Sequence, residues 1–303
     1  MGSEGGNEMS TMTRMAREIL DVSWQAAARR AARVYVAGPE LADAMRTCGT
    51  LSRAGLGTIV CRWNDRTESP RRVADTYLAA SEAIARGRLD CHLAVKVPAL
   101  DLSPDLVSEV VLRAGIAGVS VRFDAQAHRF AEATLTLAEE LSGRVPWLGV
   151  VLPGRWRRSL DDADRMAEVG LPVRVVKGQY PDPAHPEPDL RAGFLAVVRR
   201  LAGKARHVAV ATHDGPLARE ALRVLQQAGT PCALELLLGL PFEEALGEAI
   251  AARVPVRVYV PYGVPSVPYH YTTVRNDPRV VSWLIQDLLF KEAFRLPRST
   301  PEA

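Results

Sequence analysis

The chain has 303 residues, 48% of them hydrophobic and 24% charged, which is ordinary globular composition and length for one large α/β domain or two small ones. Its formal net charge is +3, with basic and acidic residues interspersed and no basic block, so nucleic acid is not an implied partner. No stretch reaches the roughly 18 apolar residues of a membrane span, and the polar start MGSEGGNEMSTM lacks the apolar run of a signal peptide. The expectation is a cytoplasmic protein with no integral membrane segment.

Taken in chain order, a helical pattern at about 11–34 comes first, set apart from a domain spanning 35–303. Short β-branched apolar runs then recur at 57–61, 92–97, 118–123, 148–152, 173–176, 207–211, 232–236 and 256–260. Between them lie amphipathic Ala/Leu/Arg-rich stretches at 70–85, 104–114, 130–142, 160–169, 190–202, 216–228 and 242–252, and a last helix is expected at about 272–290. Continuous apolar runs are what strands buried on both faces require, and strand–helix alternation points to a parallel sheet. Eight such units within about 250 residues predict a (β/α)₈ barrel. An open doubly wound sheet is the competitor, but no GxGxxG follows the first strand. Cys48, Cys61, Cys91 and Cys232 are far apart and form no CxxC pair, so they read as reduced core residues.

In such a barrel the active site gathers where the strands end. Strand two carries Lys96, strand three ends Arg122-Phe123-Asp124, and strand five runs from Arg174 through Lys177-Gly178-Gln179-Tyr180. Strand six ends Ala211-Thr212-His213-Asp214, strand seven holds Glu235, and strand eight reads Arg257-Val258-Tyr259-Val260-Pro261-Tyr262-Gly263. Each alone is a structural ion pair or a snorkelling side chain as readily as a functional group. Several cations and tyrosines converging on one mouth, with no HxxE, HExxH or carboxylate pair at metal spacing, suggest a large anionic cofactor rather than a metal.

RVVKGQY (174–180), ATHD (211–214) and RVYVPYG (257–263), in this order and spacing, resemble the proline dehydrogenase family, and weaker likeness runs from RVYVAG (33–38) through LAVKVPAL (93–100), VSVRFD (119–124) and LGVVLP (148–153). The resemblance implies a distorted (β/α)₈ barrel binding FAD without a covalent bond, a last helix over the flavin, and hydride transfer from proline to flavin N5. It implies Arg174 beside N5, and Lys177 and Gly178 along the phosphates or flavin wall. Ala211, Thr212 and His213 would lie along the ribityl and pyrophosphate, with Pro153 and Glu235 at positions that usually hold glutamines. Lys96 and Asp124 would form an ion pair at the pocket floor. Tyr180, Leu238, Tyr259, Tyr269, Thr272, Thr273 and Asn276 would border the substrate. The catalytic set is then Lys96, Asp124, Arg174 and Tyr259, and no metal is implied.

The departures fall on the last helix. The family clamps the substrate carboxylate with adjacent arginines in a YxxRRxxE pattern, and here those positions are Thr272 and Thr273. Losing a buried charged pair is worth about 2–5 kcal/mol of binding. The expectation is therefore an FAD-dependent oxidoreductase for a non-proline substrate: a cyclic or secondary amine, a modified or carrier-bound prolyl group, a hydrazine, or a conjugated alkene reduced in reverse, in specialised metabolism. The alternatives are a genuine proline dehydrogenase whose carboxylate is met by Arg275, Arg155 or Arg157, a non-catalytic barrel, and an aldolase-like enzyme using Lys96 or Lys177 as a Schiff-base amine. The RWRR run (155–158) reads as a solvated loop or an anion handle, and the Pro-rich loop 181–189 is long enough for a lid. The electron partner is left open between a quinone and a reductase.

Overall fold

The computed structural model describes residues 35–263 apart from 66, 146, 187 and 188. The expected helices at 11–34 and 272–290 lie outside the described residues, as do Tyr269, Thr272, Thr273, Arg275 and Asn276.

The described chain begins with a helix that the sequence reading did not isolate, α1 (Leu41–Arg53). Its start carries a capping box in which Asp43 accepts from the Glu40 amide at 2.9 Å. Its buried residues Ala44, Cys48 and Leu51 are four and three apart, the spacing of one helix face. Then come β1 (Gly57–Trp63), α2 (Pro70–Gly87), β2 (Cys91–Val95), α3 (Pro104–Ile116), β3 (Val121–Phe123), α4 (Ala131–Ser142) and β4 (Leu148–Pro153). The second half is α5 (Ser159–Val169), β5 (Val173–Val176), α6 (Leu190–Leu201), β6 (Val208–Ala211), α7 (Gly215–Gln227), β7 (Cys232–Leu237), α8 (Glu243–Ala252) and β8 (Val256–Gly263). Helix starts follow local chemistry: the side chains of Ser69, Ser103, Asp189 and Asp214 accept from amides of the first turns of α2, α3, α6 and α7.

The eight strands pair in parallel, in sequence order, and β8 closes on β1 from Gly57↔Arg257 to Trp63↔Gly263. The expected (β/α)₈ barrel is therefore the fold. Strand two stops at Val95, two residues short of expectation, because Lys96 leads into a 3₁₀ turn at Val97–Leu100. Strand eight runs on past Pro261 to Gly263, since the β1 edge continues to offer partners.

Strand alternation divides the molecule into two environments. Val60, Val95, Phe123, Val150, Val175, Val210, Leu236 and Val258 point outward into a continuous apolar core with the helices. Their neighbours point into the barrel, where Ile59, Cys61, Ala94 and Tyr259 form only a small apolar cluster. The rest of the interior mixes small apolar residues such as Val151, Ala209 and Ala233 with the buried charges Arg122, Asp124 and Glu235.

Candidate active site

Parity places the site residues. On β3, Arg122 and Asp124 are two apart and share the inward face, and on β5 Arg174 shares it with Val176. On β7, Glu235 shares it with Leu237. Glu235 is the centre of the group. Its Oε1 accepts from Arg122 Nη1 at 2.5 Å, and its Oε2 lies 2.8 Å from Arg174 Nε. The second contact is an ion pair without hydrogen-bond alignment, so Arg174 Nε and Glu235 Oε2 both keep unused bonding capacity, as does Arg122 Nε. Burial pushes the Glu235 carboxyl up, but the guanidinium groups of Arg122, Arg174 and Arg257 outweigh it and leave it below its ordinary value.

Arg174 also lies 3.6 Å from Asp124 Oδ1, and its guanidinium carbon stacks 4.7 Å from the centre of the Tyr259 ring. Burial opposes its charge, and Glu235 and Asp124 more than restore it. Tyr259 donates its hydroxyl to Asp124 Oδ2. Burial and then the Asp124 charge raise the phenol well above its ordinary value, so it stays protonated and donating. Cys61 completes this layer with Sγ 3.8 Å from Asp124 Oδ2, its thiol pushed up to about 11 by burial. The structure therefore brings Asp124, Arg174, Glu235 and Tyr259 into one cluster. Cys61, read from sequence as plain core, joins them; it sits two residues from inward-facing Ile59, which is the signal that would have placed it.

Lys96 differs from expectation. Its ammonium donates to the Arg62 carbonyl at 3.0 Å and makes no ion pair with Asp124, whose cationic partner is Arg174. Ending β2 at Val95 turns Lys96 toward the β1 end. Leu238 is also moved: it packs into the outer apolar core, and Leu237 is the residue against the interior cluster. Counting by twos from Glu235 gives that result.

Around the β5 and β6 ends the residues are tied into loops. Lys177 Nζ lies 3.3 Å from Asp214, which also caps α7. Gly178 has φ of 95°, and a Cβ there would meet the Pro153 side chain at 2.6 Å, so only glycine lets these loops close over each other. Ala211 ends β6, and the buried Thr212 accepts from the Asp214 amide at 3.2 Å. His213 uses both ring nitrogens on backbone: Nε2 accepts from Leu237 N–H and Nδ1 meets the Pro241 carbonyl, each at 2.8 Å. Those partners fix the neutral tautomer, and burial lowers its pKa. Its ring nitrogens are therefore committed to joining β6 to β7.

The RWRR run is a clamp. Arg155 donates to the Gly178 and Gln179 carbonyls, Trp156 to the carbonyl of half-buried Tyr180 at 2.9 Å, and Arg157 meets His185 at 2.9 Å. Arg158 pairs with Asp162 and Glu132. The run holds the loop after β5 and lends neither Arg155 nor Arg157 to the barrel interior. A cavity of about 220 Å³ lined by Trp156, Leu160, His185 and Val197 lies beside this clamp and contains none of the interior cluster. Among the described residues, no group of three or more His, Cys, Asp or Glu side chains is placed to hold a metal, and no helix is long and apolar enough to cross a membrane.

A parallel (β/α)₈ barrel with a charged interior reaching the C-terminal strand ends is the class these features define. Within it, the chain resembles the proline dehydrogenases across the barrel. It is 26% identical over 279 residues to proline dehydrogenase 1 of Bacillus subtilis subsp. natto, covering 87% of this chain and 92% of that one. It is 24% identical over 275 residues to proline dehydrogenase of Deinococcus radiodurans, covering 84% and 89%. Proline utilization A of Bdellovibrio bacteriovorus, solved after inactivation by N-propargylglycine, shares the fold with a TM-score of 0.67 at 17% identity. That match takes in 87% of this chain and 33% of the larger protein. The Corynebacterium freiburgense protein of the same name gives 0.63 at 17% identity, over 100% and 37%. No family model matches the chain.

Proposed function

We propose that the chain is a flavin-dependent oxidoreductase of the proline dehydrogenase type, removing hydride from the carbon beside the nitrogen of proline or a close cyclic secondary amine. The observation that carries this reading is Arg174, a cation on the inward face of β5, set between two carboxylates and stacked on Tyr259. The residues present suit FAD. The inward-facing guanidinium of Arg174, the ammonium of Lys177 and the hydroxyl of Thr212 are a donor set suited to an anionic dinucleotide. Arg174 would hold the isoalloxazine, and Lys177, Gly178 and Thr212 the rest. When bound, the flavin supplies the hydride acceptor.

The chain's own groups do the remaining work. Arg174 would set a fixed positive charge beside the flavin, inside a site with little water to screen it, which would favour the reduced, anionic form. Asp124 spends one oxygen on Tyr259 and turns the other to Arg174, so it holds the Tyr259 ring and the Arg174 guanidinium in one layer. Ile59, Ala94 and Leu237 give that end of the barrel apolar walls.

Resemblance to proteins named proline dehydrogenase favours proline itself over the non-proline substrate that the clamp positions suggest. Thr272 and Thr273 support a second reading in which the substrate carboxylate is masked as an ester or amide. In either case a quinone or a reductase would take the electrons onward. An absorption spectrum followed by anaerobic titration separates these readings. A flavin band bleached by proline supports the first. Bleaching by proline methyl ester but not by proline supports the second, and a colourless folded protein overturns both.

A further inference from the structure

Glu235 does more than fill a cofactor position. Inside the barrel it bridges two guanidinium groups from β3 and β5, and both of its oxygens are engaged by opposite charge. Arg122 stands one inward step before Asp124 on β3, and its ionic partner is Glu235. Arg174 is the cation of the cluster closest to the proposed chemistry. Its Nε faces Glu235, while its Nη1 is the atom nearest Asp124. The guanidinium is thus oriented by Glu235 at Nε and by Asp124 at Nη1, with its face on the Tyr259 ring. The charges are adjacent and buried, so the surrounding medium screens them weakly, and removal of one is felt by the next.

Resting on the flavin reading above, we infer that Glu235 is a positioning residue. It anchors the Arg174 guanidinium through Nε and cancels one of two neighbouring positive charges, so that it sets the midpoint potential of the bound flavin. Arg122 acts in the opposite sense through Glu235. With Arg122 in place, the carboxylate is shared, and Arg174 keeps more of its positive character. Without Arg122, the full negative charge falls on Arg174.

The test is the flavin midpoint potential of the purified holoenzyme, measured by dye-referenced reductive titration for wild type, Glu235→Gln, Glu235→Asp and Arg122→Met. Glu235→Gln removes a negative charge at constant shape and is expected to shift the potential positive. Arg122→Met is expected to shift it negative, and Glu235→Asp to return it close to wild type. A purely structural role predicts altered melting temperature with no movement of potential. Glu235→Gln strands two buried cations and is the variant at risk of misfolding. If Glu235→Gln fails to fold, Arg122→Met/Glu235→Gln, which strands one cation rather than two, takes its place: a potential more positive than that of Arg122→Met alone assigns the effect to Glu235, and an equal potential overturns the inference. A yellow wild type whose potential ignores both substitutions, or moves in the reverse directions, overturns the inference and leaves the flavin reading intact. A colourless wild type overturns the flavin reading itself.

Discussion

Two Arg–Glu pairs in this molecule have the same chemistry in opposite surroundings. Inside the barrel, Arg122 meets Glu235 at 2.5 Å with side chains 5% and 1% exposed; between α7 and α8, Arg219 meets Glu248 at 2.5 Å with 69% and 17% exposed. Water already solvates the outer pair in the unfolded chain and largely still does in the folded one. The inner pair has surrendered its hydration, and its mutual attraction only roughly offsets that loss. Barrels of this class usually fill their interiors with branched apolar side chains, so a charged interior marks where this chain has exchanged packing for chemistry. The helical shell, in contrast, keeps an unbroken apolar core. The apolar packing and the charged cluster thus lie on different faces of the same strands.

The sharpest way to break that division is from the inside. Glu235→Leu leaves Arg122 and Arg174 buried beside an apolar group, and should destabilise the protein by about 3–5 kcal/mol in denaturant unfolding. The double variant Arg122→Met/Glu235→Leu should recover most of that loss while flavin binding stays altered. If the single and double variants are equally unstable, the inner pair is not acting as a unit. Next in size is the shell. Leu201→Ala opens a fully buried site in the outer core and should cost about 3 kcal/mol, with substrate bleaching of the folded protein unchanged. Lost bleaching at full folding would show that the two faces are coupled.

The same division explains what was legible in the sequence. Each outward strand face packs on a helix while its inward face fills the barrel, so strands such as 148–152 appear as unbroken apolar runs and can be counted. Helix α1 was missed because it precedes the first strand and its buried stripe is only Ala44, Cys48 and Leu51, although Glu40 and Asp43 spell out its cap. Asp124, Arg174 and Tyr259 were legible from motif resemblance. The role of Arg122 was not, since its partner Glu235 is 113 positions away and only barrel closure brings them together. Leu238 was misplaced because resemblance fixes alignment, whereas the pleat fixes direction. The RWRR clamp was obscure for a related reason: which carbonyls its side chains reach depends on the path of the loop after β5.

Acid titration probes the closed end of the interior and should give a smaller effect. Burial, then Arg122, draws His207 down to about 4, and burial with Arg122 and Arg257 draws His92 to about 2. In the unfolded chain each imidazole titrates near 6.5. Between about pH 6.5 and pH 4 the unfolded state therefore binds protons that the folded state refuses, and stability rises with pH through that window before levelling near pH 7. After discounting for partial solvation, the loss from pH 7 to pH 5 should be about 1–2 kcal/mol. His207→Gln should flatten the slope. Glu235 has a depressed pKa, so its contribution is present above about pH 4.3 and is lost progressively below; that range lies under the His207 window and overlaps the acid end of the His92 one.

The smallest expected effect belongs to the outer pair. Arg219 donates to both oxygens of Glu248 at 2.5 and 2.8 Å, geometry as favourable as that of the inner pair. If contact geometry alone governed the energy, Arg219→Ala would rival Glu235→Leu. Exposure argues otherwise: the guanidinium regains water on losing its partner, and salt already screens the attraction. Arg219→Ala should therefore change stability by less than about 1 kcal/mol, with a difference that shrinks further in high salt. A loss of several kcal/mol would mean that the α7–α8 contact is screened far less than its exposure implies, and the contrast between the two Arg–Glu pairs would then fail at its outer end.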